Sequence, residues 1–570
     1  MSVSTVEMHR RRLFFLAAMF FAFGVLVAIR LVQWQVLQHE QLLNSSVALQ
    51  SKKTAIPAHR GEIRDRNGRI LAISLRDDQV AGDPMFFKAQ SARLQDYIVN
   101  EAAPILGMSP DQIKQQLANG QGHYTKLRDS VPLTVSQALN DAHVAPAVSV
   151  VPRVRRVYPS RALLAQTLGF LNLDGVGVGI EGSYNEQLSG VAGEKLFEAD
   201  SYGSGLAKVP VVRPPQEGAD ITLTVDINIQ YVAERELEKA LYNERTLTGT
   251  VVVMNPRTGE ILAMAGRPTF DPSQYSDVPP QAWNNPAVSD AWEPGSIFKI
   301  LTIAAALDSG KVTPKTTFVD RGTMKYHRVI VSNRDGKANG TITPAQILQY
   351  SSNVGTVQVA DVLSTTAFYT YAHAFGIGVK TGIDLPGEAE GAMRLPGDPV
   401  WSPVDLAANS YGQGLSATPI QMASAVSAVA NKGIMMRPYV VATSESVAHS
   451  PDGPGPLRRV IRSETAATMT EMLVSVVETT VTQARVPGYR LAGKTGTALI
   501  PQENYDENKT IASFVGYGPA EDAQFLILVR IDRPKVHQTG AEVAAPVFKS
   551  IAQWLLSYLR IAPNDLRAQR

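Results

Sequence analysis

The sequence of 570 residues contains no cysteine. Disulfide staples, thiolate nucleophiles and cysteine-held metal sites are therefore excluded, while the compartment is left open. Histidine is sparse too: the nine present form no HExxH or comparable ligand spacing, and no glycine-rich loop of the phosphate-cradling type occurs. Neither a metal nor a cofactor is expected. An excess of charge is also missing, the formal net charge being +2, so nothing in the balance suggests nucleic acid as a partner. Internal repeats and low-complexity tracts are not evident. What is present is 44% hydrophobic content in a chain long enough for two or three globular domains.

One apolar run is long. Arg10, Arg11 and Arg12 precede an uncharged stretch from Leu13 to Ile29 that passes Arg30 into Leu31 and Val32, about the length needed to cross hydrocarbon. A cleaved signal peptide would end in small residues, whereas Val32-Gln33-Trp34-Gln35-Val36 is bulky, which favours an uncleaved anchor. Three arginines before the span against Arg30 just beyond it place the N-terminus in the cytoplasm and everything after about Val36 outside. Arg30 can snorkel to the outer interface, where Trp34 fits the aromatic belt. The expected layout is a cytoplasmic tail over 1–12, a transmembrane anchor over 13–34, a non-catalytic domain over 35–212 and a catalytic domain over 213–570.

The chemistry concentrates at Glu293-Pro294-Gly295-Ser296-Ile297-Phe298-Lys299. Pro294 and Gly295 break the preceding chain, and Ile297 to Leu307 then runs apolar on nearly every face, as a helix buried in a core does. Ser296 would sit in the first turn, where unpaired N–H groups favour a developing alkoxide, with Lys299 on the same face. A desolvated lysine can serve as the general base that a serine nucleophile needs. A Ser-x-x-Lys spacing arises by chance about once in a chain of this length, so it needs support. Ser351-Ser352-Asn353 and Lys494-Thr495-Gly496-Thr497 follow in the order found in penicillin-binding proteins and class A β-lactamases. Ser296 to Lys299 is also the only Ser-x-x-Lys in the sequence.

Lys380-Thr381-Gly382 duplicates the third motif. The motif must lie on an exposed strand beside the nucleophile so that its backbone can pair with an extended peptide. Tyr489 to Gly493 leads into Lys494 as a strand, the polar stretch from Gln502 to Lys509 reads as a hairpin loop, and Ile511 to Tyr517 returns as its partner. Lys380 lies among Gly376, Gly378, Gly382, Pro386 and Gly387, a glycine-punctuated loop read as structural. Elsewhere, Val209 to Gly218 reads as a linker, Ile221 to Asp226 as a strand with Asp226 capping a helix from near Asn228, and Thr250–Met254 with Glu260–Met264 as a β-hairpin. Phe525 to Ile531 adds a strand, and Phe548, Ile551, Ala552, Leu555, Leu556 and Leu559 recur at helical spacing. An α+β fold is expected, with an antiparallel sheet flanked by helices, a helical lobe, and the active site between them.

Together these residues resemble the class B penicillin-binding proteins, membrane-anchored monofunctional D,D-transpeptidases. Arg60-Gly61-Glu62-Ile63-Arg64-Asp65-Arg66-Asn67-Gly68 with Leu71-Ala72 looks like the first signature of their mixed α/β pedestal, or dimerisation-like, domain. Tyr158-Pro159 with Leu168-Gly169-Phe170, and Gly179-Ile180-Glu181 through Tyr184, Leu188 and Gly193, look like the second and third. Gly412-Gln413-Gly414 with Thr418-Pro419 resembles a further stretch of the penicillin-binding/β-lactamase-like transpeptidase domain. No glycosyltransferase domain precedes the pedestal, unlike class A. Arg60, Asp65 and Glu181 are expected to hold the pedestal to the catalytic domain. Asn172-Leu173-Asp174-Gly175 looks closer to the septal, division subgroup than to the elongation one.

The resemblance implies that Ser296 attacks the penultimate D-Ala carbonyl of a peptidoglycan (lipid II) stem peptide, with Lys299 taking its proton. It implies that Ser351 relays a proton to the leaving amine, that Lys494 polarises the network as a nearby cation, and that Asn353 binds substrate backbone. Thr495 and Thr497, flanking Gly496, would hold the terminal carboxylate, and the N–H groups of Ser296 and Thr497 would form an oxyanion hole, worth about 3 kcal/mol per donor. β-Lactams would acylate the same serine. The implied location is the inner (cell) membrane, and the implied partner a SEDS-type glycosyltransferase. A carboxypeptidase or β-lactamase would share the trio but needs a base to activate water, and none is identifiable. An idle scaffold or β-lactam sensor fits poorly with an intact trio and a short cytoplasmic tail.

Overall fold

The computed structural model describes residues 3–40, 51–172, 175–198, 211–443, 453–500, 503, 506 and 509–567. Leu173, Asp174 and most of Gln502 to Lys509, for which expectations were stated, lie outside the described residues. Contacts divide the chain into two compact units, one of Met1–His59, Arg76–Val154 and Ser189–Gly218, the other of Arg60–Leu75, Arg155–Leu188 and Ala219–Arg570. A linear boundary near residue 212 and this division differ. The segments carrying the Arg60–Gly68 and Gly179–Tyr184 signatures group with the C-terminal unit, because Ile63, Leu71, Leu168, Ile180 and Leu188 share one buried cluster with the central sheet.

In the first unit, helix α1 (Val3–Val32) opens the chain. The stretch Met8–Leu37 is long and apolar enough to cross a membrane, and no residue of its apolar window is buried within the protein. Past the apolar run, Arg30 donates to Gln33 at 2.7 Å and its guanidinium sits 5.1 Å from the centre of the Trp34 ring. A three-stranded antiparallel sheet places Asp78–Gly82 between Thr125–Val131 and Val148–Val151. Its core joins Val80 to Ile98, Val99, Leu106, Ile113 and Leu117 of the helices Ala92–Leu106 and Pro110–Asn119. The expected linker holds a strand instead: Val211–Arg213 pairs with Gly193–Glu198, which pairs with Ser51–Ile56. Pro214 and Pro215, which lack an N–H to donate, end it.

In the second unit, Asp226 caps helix α2 (Ile227–Asn243), accepting from the Asn228 N–H at 2.9 Å. The hairpin follows as β1 (Gly249–Met254) and β2 (Ile261–Arg267). Helices α3 (Lys299–Asp308), α4 (Pro344–Tyr350) and α5 (Asn353–Leu363) form the core of the helical lobe. Helix α6 (Pro419–Ala430) comes next. Strands β3 (Ala492–Leu499), β4 (Thr510–Gly518) and β5 (Phe525–Asp532) complete a five-stranded antiparallel sheet in the order β2-β1-β5-β4-β3, so β3 is an edge. Every residue of β1, β4 and β5 is buried, which requires cover on both faces. Helices α2, α6 and α7 (Gly540–Tyr558) pack on this sheet. Along α7, Phe548, Ile551, Ala552, Leu555 and Leu556 are buried as their spacing predicts, while Leu559 is only half-buried at the helix end. The Phe514 and Phe548 rings meet 4.7 Å apart at this seam, and burial of each contributes ~2 kcal/mol.

Candidate active site

The chain reaches Ser296 through a short 3-10 turn, Gly295–Phe298, rather than the first turn of an α-helix, and α3 begins at Lys299. Packing around the turn is close. Gly295 donates to the Gly412 carbonyl at 2.9 Å, and a Cβ on Gly412 would meet the Gly295 oxygen at 2.2 Å, so the Gly412-Gln413-Gly414 stretch is built against the turn that carries Ser296. Gly496 faces the turn from the sheet side, where a Cβ would lie 2.9 Å from Ile297 and 3.0 Å from the Pro294 oxygen. The third motif thus needs glycine because strand and turn touch there.

Lys299 is 0% exposed and Lys494 is 1% exposed. Lys299 Nζ donates to the Ser351 carbonyl at 2.5 Å and to Asn353 Oδ1 at 2.7 Å, and it stands 3.3 Å from Ser351 Oγ. Lys494 Nζ donates to Ser351 Oγ at 3.1 Å and reaches the carbonyl and hydroxyl of Thr495 at 3.2 and 3.3 Å. Ser351 therefore lies between two lysines. It has φ +55° at the C-cap of α4, a left-handed conformation that costs a non-glycine residue about 1 kcal/mol. The bond from Lys299 to its carbonyl helps hold it there. Ser296 is half-exposed and makes no side-chain hydrogen bond among the described residues, so its hydroxyl keeps both its proton and its lone pairs for a ligand.

Burial drives the pKa of Lys299 well below the ordinary lysine value, repulsion by Lys494 pushes the same way, and the Asp320 carboxylate pulls part of it back. Burial also brings Lys494 down, to about 7. In its protonated form Lys494 is the nearby cation that opposes a charge on Lys299. The three oxygens around Lys299 can take the three bonds of an ammonium, and they also fit a neutral amine that donates to the two carbonyl oxygens once the Ser351 hydroxyl turns its proton toward Nζ.

Along β3 burial alternates: Lys494, Gly496 and Ala498 are buried while Thr495 and Thr497 are half-exposed. Thr497 Oγ1 accepts from the N–H of Gly540, the first residue of α7, at 3.2 Å, leaving its own proton to donate. The duplicate triplet does not share this setting. Lys380 is exposed, and the loop holding it lines a separate cleft of about 370 Å³ with Met435, Arg437 and Arg458. Arg60, Asp65 and Glu181 bind within the C-terminal unit. Glu181, fully buried, accepts from Arg60 at 2.5 and 2.8 Å and from Arg156 at 2.6 Å. Asp65 accepts from the N–H groups of Asn67, Arg69 and Ile227.

Sequence reasoning missed a second layer behind Ser351 and Asn353. Ser352 caps α5, accepting from the Gly355 N–H at 2.9 Å, and donates to Asp320 at 2.7 Å. Asn333 Oδ1 accepts from the Asn353 N–H at 2.9 Å and the Val354 N–H at 3.2 Å. The only sequence signals were the second serine of Ser351-Ser352 and an aspartate two residues before Gly322.

Residues 249–553 match the penicillin binding protein transpeptidase domain, which defines the class of the catalytic unit, and residues 55–223 match the penicillin-binding protein dimerisation domain. The chain is 34% identical to the stage V sporulation protein D of Bacillus subtilis, over 100% of this chain and 89% of that protein. It is 30% identical to the peptidoglycan D,D-transpeptidase FtsI of Escherichia coli, over 94% and 90%. The crystal structure of penicillin binding protein 3 from Mycobacterium tuberculosis with aztreonam is similar at a TM-score of 0.68 and 27% identity, over 90% of this chain and 98% of that one. The chain belongs to the class B penicillin-binding proteins.

Proposed function

We propose that the protein cross-links peptidoglycan by D,D-transpeptidation, with Ser296 as the acylated residue. What carries this reading is a pair of buried lysines converging on Ser351, next to an open serine and beside an edge strand ready to pair with an extended peptide. Neutral Lys299 takes the Ser296 proton as Oγ bonds to the carbonyl carbon of the penultimate D-Ala. The C–N bond to the terminal D-Ala then breaks, and the leaving nitrogen receives a proton through Ser351, drawn from the Lys299–Lys494 network. The hydroxyls of Thr495 and Thr497 hold the substrate carboxylate, Asn353 its backbone, and the N–H groups of Ser296 and Thr497 the oxyanion. An amine of a neighbouring stem attacks the ester and releases Ser296. The relative from Mycobacterium tuberculosis was solved with aztreonam, and a β-lactam that acylates Ser296 here keeps its leaving nitrogen tethered in the site.

The apolar stretch Met8–Leu37 anchors the chain in the inner membrane, with Arg10, Arg11 and Arg12 on the cytoplasmic side. The relative FtsI and the Asn172 to Gly175 stretch favour a role in cell division over elongation. A SEDS-type glycosyltransferase contacting anchor and pedestal is the proposed partner. The decisive test is covalent labelling by a fluorescent penicillin, which Ser296→Ala should abolish. Labelling that persists in that variant would remove Ser296 from its role.

A further inference from the structure

Asp320 ends the short strand Phe318–Asp320, is 1% exposed, and has no cation within salt-bridge distance among the described residues. Five donor contacts surround it: the Gly322 N–H at 2.8 Å, Asn333 Nδ2 at 2.9 and 2.8 Å to its two oxygens, Asn339 Nδ2 at 2.6 Å and the Ser352 hydroxyl at 2.7 Å. Burial pushes this carboxyl up, but the bonds from Asn339, Ser352, Gly322 and Asn333 outweigh it and hold the group ionised, below the ordinary range. A buried charge satisfied only by neutral donors is costly. A buried charge of this kind beside a catalytic motif is a candidate for a functional role.

Two of its partners lead directly to the catalytic motif. Ser352 lies between Ser351 and Asn353, and Asn333, tied to Asp320 through its amide nitrogen, fixes the Asn353 and Val354 N–H groups with its oxygen. Asn353 Oδ1 in turn receives Lys299. We propose that Asp320 is a positioning residue of the active site: it pins the Ser351–Asn353 turn through Ser352 and Asn333, and it sets the negative charge against which Lys299 works.

The ionisable groups acting on Lys299 are Lys494, across on β3, and Asp320. On the elements around Asp320, Asp361 of α5 is engaged by the Tyr326 hydroxyl at 2.7 Å, and Arg321, Arg334, Asp335 and Lys337 lie exposed on the loops. Asp320 is thus the buried anion of this neighbourhood. Removing its charge makes protonated Lys299 less favourable, so Lys299 becomes neutral at lower pH. The inference rests on the proposed roles of Ser296 and Lys299.

The test is the pH profile of the second-order rate of acylation by a fluorescent penicillin, for wild type, Asp320→Asn and Ser352→Ala, with Ser296→Ala as the control. Asp320→Asn should move the acid limb to lower pH and lower the plateau about tenfold through misplacement of the turn. Ser352→Ala, which keeps the charge, should lower the plateau severalfold and leave the limb in place. An acid limb of Asp320→Asn that coincides with wild type overturns the charge role. An equal shift in Ser352→Ala, or a wild-type plateau in it, overturns the proposal as well, and this arm stands even if Asp320→Asn does not fold. Labelling that survives in Ser296→Ala would instead sink the underlying reading, so the two failures are distinguishable.

Discussion

The chain contains Lys-Thr-Gly twice, and the two copies behave as different chemical groups. At Lys494 the triplet lies on the edge strand β3, and the pleat turns the lysine inward to 1% exposure, where burial lowers its pKa to about 7. Its neighbours Thr495 and Thr497 stay half-exposed. At Lys380 the same residues occupy a loop: the lysine is exposed, and the Thr381 N–H and hydroxyl and the Gly382 N–H are all spent on Glu388, at 2.6, 2.5 and 3.2 Å. The first copy keeps its hydroxyl protons for a ligand and its ammonium poorly solvated, while the second has satisfied its own donors. The difference between the two copies comes from register and burial, which the motif alone does not set.

The comparison breaks most visibly by deleting each lysine. Lys494→Ala should lower the rate of penicillin acylation by about 10³-fold, the scale of losing one preorganised electrostatic partner, and Lys380→Ala should leave it within about twofold. Rates of covalent labelling measure both. The reverse pattern would transfer the catalytic role to the loop.

Much of this was legible in the sequence for a physical reason: the strands and helices that carry the motifs are strongly patterned. Helix α7 follows from periodicity, while Ala492–Leu499 and its partner Thr510–Gly518 follow from the need of the third motif to lie on an exposed strand that can pair with a peptide. Three things were not legible. Ser296 sits in a 3-10 turn because Gly412 and Gly496, remote in sequence, pack against it. The Arg60–Gly68 hairpin groups with the C-terminal unit because parallel pairing of Ile63 with Ile221 and burial of Glu181 between Arg60 and Arg156 tie it there, and long-range pairing leaves no local pattern. The joint role of Asp320 and Asn333 was not legible because a buried polar network is assembled from short segments with no fixed spacing.

A smaller effect sharpens the comparison through stability. Lys494 has a folded-state pKa of about 7 against an ordinary 10.5, so between those values the unfolded chain binds a proton that the folded one has released. Stability then rises as pH climbs from 7 toward 10.5, and at pH 7 and below the cost of the buried charge is present. Lys494→Met should stabilise the protein by about 1–3 kcal/mol near pH 6, after subtraction of the lost bonds to Ser351 and Thr495, with the gain shrinking toward pH 10. Lys380→Met should show neither the gain nor its pH dependence. Denaturant unfolding at pH 6 and pH 9 separates the two, and a destabilised Lys494→Met at both would mean that its hydrogen bonds outweigh its burial.

The smallest effect concerns the loop copy itself. If its donors are spent on Glu388, then Glu388→Ala should leave the Thr381 and Gly382 N–H groups without their acceptor. Thr381 is buried and Gly382 is exposed, so water can rescue one of the two and the cost should be about 1–2 kcal/mol in unfolding free energy. Penicillin acylation should stay within about twofold, because no bond links this loop to Ser351 or Lys494 among the described residues. An acylation rate that falls together with stability would mean that the loop supports the site, and the contrast between the two triplets would then be one of distance along a shared framework instead of one of chemistry.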